Sequence, residues 1–259
     1  MLTLGQAVAQ QGVQGASIPT PYESLTRLGF TLRRGQSSMI AAAPGVGKSA
    51  LALDIAMRLH DRSLYISADT DSFTMGMRAV AKMTGHTQET VERGMADPDR
   101  AKHYSEMLGR LWNVRFSFDA AGMEDVRDEV FAYATSFGSF MPLLVVDNLV
   151  NVADGDDDYR AMRSAVQDMD RLAHNTGAHV MILHHANGKY DDGNEIIPLS
   201  GLENKVAKIP AQVLTLNRQG EYTRINVVKN RSGQADARGK DVHTLLRVDL
   251  ATMQYSDIG

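Results

Sequence analysis

Cysteine is absent from the 259 residues, which excludes disulfides, thiolate metal sites and cysteine nucleophiles. Long apolar runs are missing as well. The longest, Phe140 to Val146, falls far short of the ~20 residues that span a bilayer. The opening Met-Leu-Thr-Leu-Gly-Gln has neither the basic start nor the apolar stretch of a secretory signal. A soluble, intracellular protein without membrane contact is the expectation. Neither sign of charge dominates: 27 basic residues face 31 acidic ones, a net of −4. No global basic footprint announces a nucleic acid, although a basic pore or loop can sit within an acidic protein.

The length and 43% hydrophobic content suit one sizeable core. Residues 1–22 mix Gln, Gly, Ala and Ser and close on Pro19 and Pro21, which reads as an arm before a body at 23–259. In that body, short β-rich runs alternate with helical patterns, predicting parallel strands joined by crossover helices. Strands are expected at Ser38–Ala42, Ser63–Ala68, Val114–Phe118, Pro142–Asp147 and Ala178–Leu183. Helices are expected over Lys48–His60, 73–111, Met123–Ser136 and Tyr159–Asn175. In the last of these, Met162, Val166, Met169 and Leu172 recur at helical spacing and read as core. Three further strands, Gln212–Asn217, Tyr222–Lys229 and His243–Leu250, follow with no long helix between them. They predict an antiparallel edge on a mostly parallel α/β sheet.

Chemistry concentrates after the first strand. Ala42-Ala43-Pro44-Gly45-Val46-Gly47-Lys48-Ser49 has the spacing of a phosphate-binding P-loop, with Ala where the pattern's first Gly usually stands. Gly45 and Gly47 let the backbone curl toward phosphate oxygens, and the helix starting at Lys48 directs its positive end there. Ala43 to Ala50 are thus candidate ATP-binding residues, Lys48 for the β- and γ-phosphates and Ser49 for Mg²⁺. Asp147, closing Leu143-Leu144-Val145-Val146, is a second candidate for the magnesium side, since a carboxylate ending a central strand faces the phosphate crevice. Hydrolysis also needs a carboxylate to orient water. Asp69, at the end of a strand expected beside the P-loop strand, is the candidate; Asp71 is its rival, and both also suit helix capping. His184 and His185 end a strand, so one should face the γ-phosphate and the other the interior. His185 is taken as the phosphate-facing member. With no cysteine and no helical His spacing, the pair does not predict zinc.

With those residues in place, the chain resembles the RecA-like ATPase domain of DnaB-type hexameric replicative helicases. The likeness runs from Ile18-Pro-Thr-Pro-Tyr-Glu-Ser-Leu-Thr through Met39-Ile-Ala-Ala-Ala-Pro-Gly-Val-Gly-Lys-Ser to the C-terminus. Tyr65-Ile-Ser-Ala-Asp69 stands where that family has a strand ending in a catalytic Glu, and His184-His185 where it has a Gln sensor, a form closer to plasmid RepA-type relatives. Val227-Val228-Lys229-Asn230-Arg231-Ser232-Gly233 resembles the Lys-x-Arg element that such rings insert into the next subunit's ATP site. Residues two apart on a strand share a side, so Lys229 and Arg231 would present two cations to one triphosphate.

The resemblance implies an ATP-driven DNA helicase or translocase with Mg²⁺, single-stranded DNA as partner, and a homo-oligomeric, hexameric ring with ATP sites between subunits. It further suggests a pared-down phage or plasmid version without the N-terminal primase-binding domain, acting in the cytoplasm of a bacterial host. Two loops would then face the ring's centre. Asn151–Tyr159 is acidic through Asp154, Asp156, Asp157 and Asp158, whereas Gly188–Ile209 offers Lys189, Lys205 and Lys208 among Asp191, Asp192, Glu195 and Glu203. A RecA/RadA-like recombinase or annealing mediator, and an ATP-binding regulatory switch, are the competing readings.

Overall fold

The computed structural model describes residues 15–153, 159–186 and 188–258. Residues 1–14 of the arm, the acids Asp154, Asp156, Asp157 and Asp158, and the side chains of Glu203 and Lys205 lie outside the described residues.

Strands β1 (Ser17–Ile18) and β2 (Leu32–Arg33) pair across helix α1 (Glu23–Arg27). The chain continues through β3 (Ser37–Ala42), α2 (Lys48–Arg58), β4 (Ser63–Ser67), α3 (Ser72–Thr84), α4 (Gln88–Gly94), α5 (Pro98–Gly109) and β5 (Val114–Ser117). Next come α6 (Met123–Phe137), β6 (Leu143–Asp147), α7 (Leu149–Val152), α8 (Tyr159–Thr176) and β7 (His179–His185). Short 3-10 turns lead into β8 (Gln212–Gln219), β9 (Tyr222–Asn230), β10 (His243–Asp249) and β11 (Gln254–Asp257).

Among the described residues, nine strands form the main sheet in the order β11-β10-β9-β8-β3-β7-β6-β4-β5. From β8 to β5 all neighbours are parallel, and β8 to β11 are antiparallel. Every residue of β3 and β6 is buried, because helices cover both faces; this is why those strands read as unbroken apolar runs. On one face Leu51 and Ile55 of α2 and Val80 of α3 pack on Tyr65, Val145 and Met181. On the other, Val126 and Val130 of α6 join Met162, Val166 and Met169 of α8 against Leu64, Leu144 and Ile182. No described helix is long and apolar enough to cross a membrane.

Several sequence expectations change. β4 is not beside the P-loop strand, because β7 and β6 lie between them; the crossover through α2 carries the chain outward and later strands fill the gap. The helical stretch 73–111 is three helices, broken where Gly85 closes α3 in the left-handed region (φ 71°) and where Asp97 caps α5 with Pro98 in its first turn. A fourth C-terminal strand, β11, is present. Its hairpin turns on Met253 at φ 56° and on Asp249 Oδ1, which accepts from the N–H groups of Ala251 and Thr252, so no glycine marks it. Ile18 and Tyr22 are buried, so packing begins ahead of residue 23.

Candidate nucleotide site

Between β3 and α2 the turn requires glycine twice. Gly45 has φ 71° and Gly47 φ 110°, and a Cβ on Gly47 would collide with the Tyr255 hydroxyl and lie 2.9 Å from Leu250. The turn's carbonyls are tied from outside: Arg218 of β8 donates to Gly45 O, and Tyr255 Oη of β11 donates to Gly47 O at 3.1 Å. The free amide N–H groups of α2's first turn are left for an anion. Gly47→Ala is expected to weaken binding of a fluorescent ATP analogue about ten-fold, since left-handed strain alone costs ~1–2 kcal/mol.

A cleft of about 290 Å³ opens here, lined by Pro44, Gly45, Gly47, Lys48, Ser49 and Ala50, by Asp69, Thr70 and Arg78, by His185, and by Gln88, Leu250 and Met253. Ala43 and Val46 are buried and do not line it; only their backbone is available to a ligand. Lys48 is 7% exposed. Burial pulls its pKa down, and the nearby charges of Asp147 and Asp69 oppose that shift.

Asp147 ends β6 fully buried. Its Oδ2 accepts from Tyr65 Oη at 2.8 Å, while Oδ1 meets no partner among the described residues. An orphaned carboxylate oxygen within the electrostatic field of Lys48 fits an oxygen-seeking divalent ion, with the half-buried Ser49 hydroxyl as the second donor. Asp69 and Asp71 separate cleanly. Asp71 caps α3, accepting from Thr74 N at 3.0 Å and Thr74 Oγ1 at 2.7 Å, bonds that lower its pKa. Asp69 is exposed and lines the cleft, because the C-terminal ends of parallel strands share one edge even when the strands are not neighbours.

His184 and His185 face opposite ways. His184 is wholly buried, burial lowers its pKa to about 4, and neither ring nitrogen has a partner among the described residues. His185 lines the cleft, and its pKa is lowered by burial and then by Lys48. Asn148 Oδ1 accepts from the N–H groups of Val150 and Asn151, so its amide nitrogen faces His185 Nε2 at 3.3 Å. An amide nitrogen only donates. Nε2 is therefore the acceptor and the neutral ring carries its proton on Nδ1.

Lys229 and Arg231 lie elsewhere. Val213 pairs with Lys229 on one side and with Met39, near the start of β3, on the other, whereas Leu216 aligns with Ala42 beside the phosphate turn. The basic pair sits at the opposite sheet edge from this chain's own P-loop. Lys229 Nζ donates to the carbonyls of Ala207, Lys208 and Pro210, and Arg231 to Ile209 O at 3.1 Å. Burial, then the neighbouring Arg231, lowers the Lys229 pKa to about 8. The segment 188–209 is not a plain solvated loop: Tyr190, Ile197, Leu202 and Val206 are buried beneath it.

A sequence model of the family described as an AAA domain matches residues 11–190. The chain belongs to that AAA domain family. This AAA-domain protein is 32% identical to the Gene 65 protein of Mycobacterium phage L5 across the whole of both chains. A probable plasmid replicative DNA helicase of Chlamydia muridarum (strain MoPn / Nigg) is 33% identical over 81 residues, 30% of this chain and 18% of that protein. Among solved structures, a DnaB-like replicative helicase superposes with a TM-score of 0.81 at 14% identity, covering 99% of this chain and 65% of that one. The RadB recombinase gives 0.63 at 16%, covering 93% and 100%. The fold is thus the RecA-like one, in the form that the DnaB-like helicase carries.

Sequence reasoning does not find several cleft residues of this AAA-domain protein. Arg78, which donates to Thr70 Oγ1 at 3.2 Å, and Gln88, which donates to Leu250 O at 3.1 Å, carry no motif. Arg218, Leu250, Met253 and Tyr255 come from the far end of the chain, and only the folded C-terminal strands bring them to the cleft or to the carbonyls of its turn.

Proposed function

We propose that the protein is an ATP-dependent DNA helicase or translocase of the DnaB-like ring type, hydrolysing ATP at subunit interfaces. The observation that carries this is the placement of Lys229 and Arg231 across the sheet from their own P-loop, so that a nucleotide they act on would be one held by another copy. Relatives named as a plasmid replicative helicase and as a phage product support a replicative role in a bacterial host cell.

In this reading Lys48 and the turn's amides hold the triphosphate, and Leu250 and Met253 offer an apolar side to the base. Ser49 and Asp147 would hold Mg²⁺, which would supply charge neutralisation to the triphosphate. Asp69 orients the attacking water and takes its proton; being one methylene shorter than Glu, it draws that water closer to the strand end. His185 donates Nδ1–H to a γ-phosphate oxygen. Lys229 and Arg231 of the adjoining subunit stabilise the transferring phosphoryl group. Single-stranded DNA is the track, its backbone followed by the basic residues of the segment 188–209; the acidic loop at 151–159 is ill-suited to binding phosphate.

The test is ATP hydrolysis by the purified protein with and without single-stranded DNA, with assembly mass recorded in the same samples. Turnover stimulated by DNA in a closed assembly is expected. Negligible turnover unchanged by DNA would move the assignment to an ATP-binding switch, and filaments in electron micrographs to a recombinase.

A further inference from the structure

Asp147 is gripped from one side only. Tyr65 on the adjacent strand β4 donates to Oδ2 at 2.8 Å, and Oδ1 is left buried without a partner among the described residues. β4 and β6 run parallel in register, with Tyr65 opposite Val145 and Ser67 opposite Asp147. The two-residue alternation of a strand therefore puts the Tyr65 and Asp147 side chains on one sheet face, the face that α2 covers. Tyr65 is 0% exposed, its ring lies 5.6 Å from that of Phe116, and it does not line the cleft.

We propose that Tyr65 is a positioning residue for the divalent-metal site: by occupying Oδ2 it fixes the rotation of the Asp147 carboxylate and leaves Oδ1 as the oxygen presented to the metal–nucleotide complex. This rests on the reading of Asp147 as a metal-side acid. Without the hydroxyl the carboxylate has two oxygens of equal standing and no fixed orientation. Groups that orient a metal-binding carboxylate typically change metal affinity by about 10- to 100-fold.

Tyr65→Phe keeps the ring in its packed position and deletes only the donor. A fluorescent ATP analogue is titrated into wild type and Y65F, first with chelator present and then across a Mg²⁺ series. Y65F is expected to bind the metal-free analogue as wild type does, while the Mg²⁺ concentration for half-maximal tightening rises about ten-fold. An unchanged Mg²⁺ series in Y65F overturns the proposal and leaves the nucleotide site standing. Equal losses with and without metal also overturn it, because the hydroxyl would then only support the fold. A wild type that gains nothing from Mg²⁺ overturns the assignment of Asp147 and this proposal together.

Discussion

Arg231→Ala is expected to slow ATP hydrolysis by about 10³- to 10⁵-fold, the range for removing an arginine that stabilises transferring phosphate, while ATP binding stays near wild type. Arg231 is exposed, and the described hydrogen bond of its side chain is the one to the Ile209 carbonyl, so loss of the side chain costs the fold little. It stands at the opposite sheet edge from the Gly47–Lys48 turn, so within one chain it has no nucleotide to act on. The decisive experiment mixes two inactive proteins, Arg231→Ala and Lys48→Ala. Where an intact Arg231 from one copy meets an intact Lys48 from its neighbour, hydrolysis returns. Recovered turnover in the mixture, with none in either parent, establishes a shared site. Full activity of Arg231→Ala alone, or a mixture as dead as its parents, would remove the interface from the mechanism.

What can be read from the chain depends on how locally each feature is encoded. The phosphate turn is legible because eight consecutive residues carry it: the backbone needs glycine at two left-handed positions, and the lysine and serine follow at once. Asp147 is legible because a buried strand with helices on both faces leaves an apolar run, and a terminal acid stands out against it. Asp69 reads at the right edge for a wrong reason, since its strand is not next to β3, and all parallel strands end on the same side. Tyr65 looks in sequence like any aromatic in a strand; its hydroxyl gains meaning only from the register that brings β4 against β6. The same holds for Tyr255 and Arg218, which tie the turn's carbonyls from the far end of the chain. The last hairpin is hidden in the sequence because Met253, not glycine, takes the left-handed position.

Asp54→Ala is expected to destabilise the protein by about 3–5 kcal/mol, the cost of removing one partner from a buried ion pair. Asp54 lies on α2, the helix that Lys48 begins, and its carboxylate is fully buried. Three donors converge on it: Tyr22 Oη from the chain's lead-in, Lys82 Nζ from α3, and Arg58 Nη1 at 3.4 Å from the next turn of α2. One acid thus fastens the lead-in and α3 to the P-loop helix. Alanine leaves the Tyr22 hydroxyl, 0% exposed, and the largely buried Lys82 ammonium without an acceptor; Arg58, nearly half exposed, can turn to water. For a domain of this size each kcal/mol moves Tm by about 2–4 °C, so calorimetry should show a drop of roughly 6–20 °C. The triple variant Tyr22→Phe, Asp54→Leu, Lys82→Met removes donors and acceptor together and should regain most of the loss, since an apolar replacement of a whole buried pair is often neutral or better. A triple variant as unstable as Asp54→Ala would mean that the carboxylate's shape, not its partners' desolvation, sets the cost. A single variant within about 1 kcal/mol of wild type, well under that bound, would mean that water reaches Lys82 and that the lead-in is fastened by the packing of Ile18, Tyr22 and Leu25 alone.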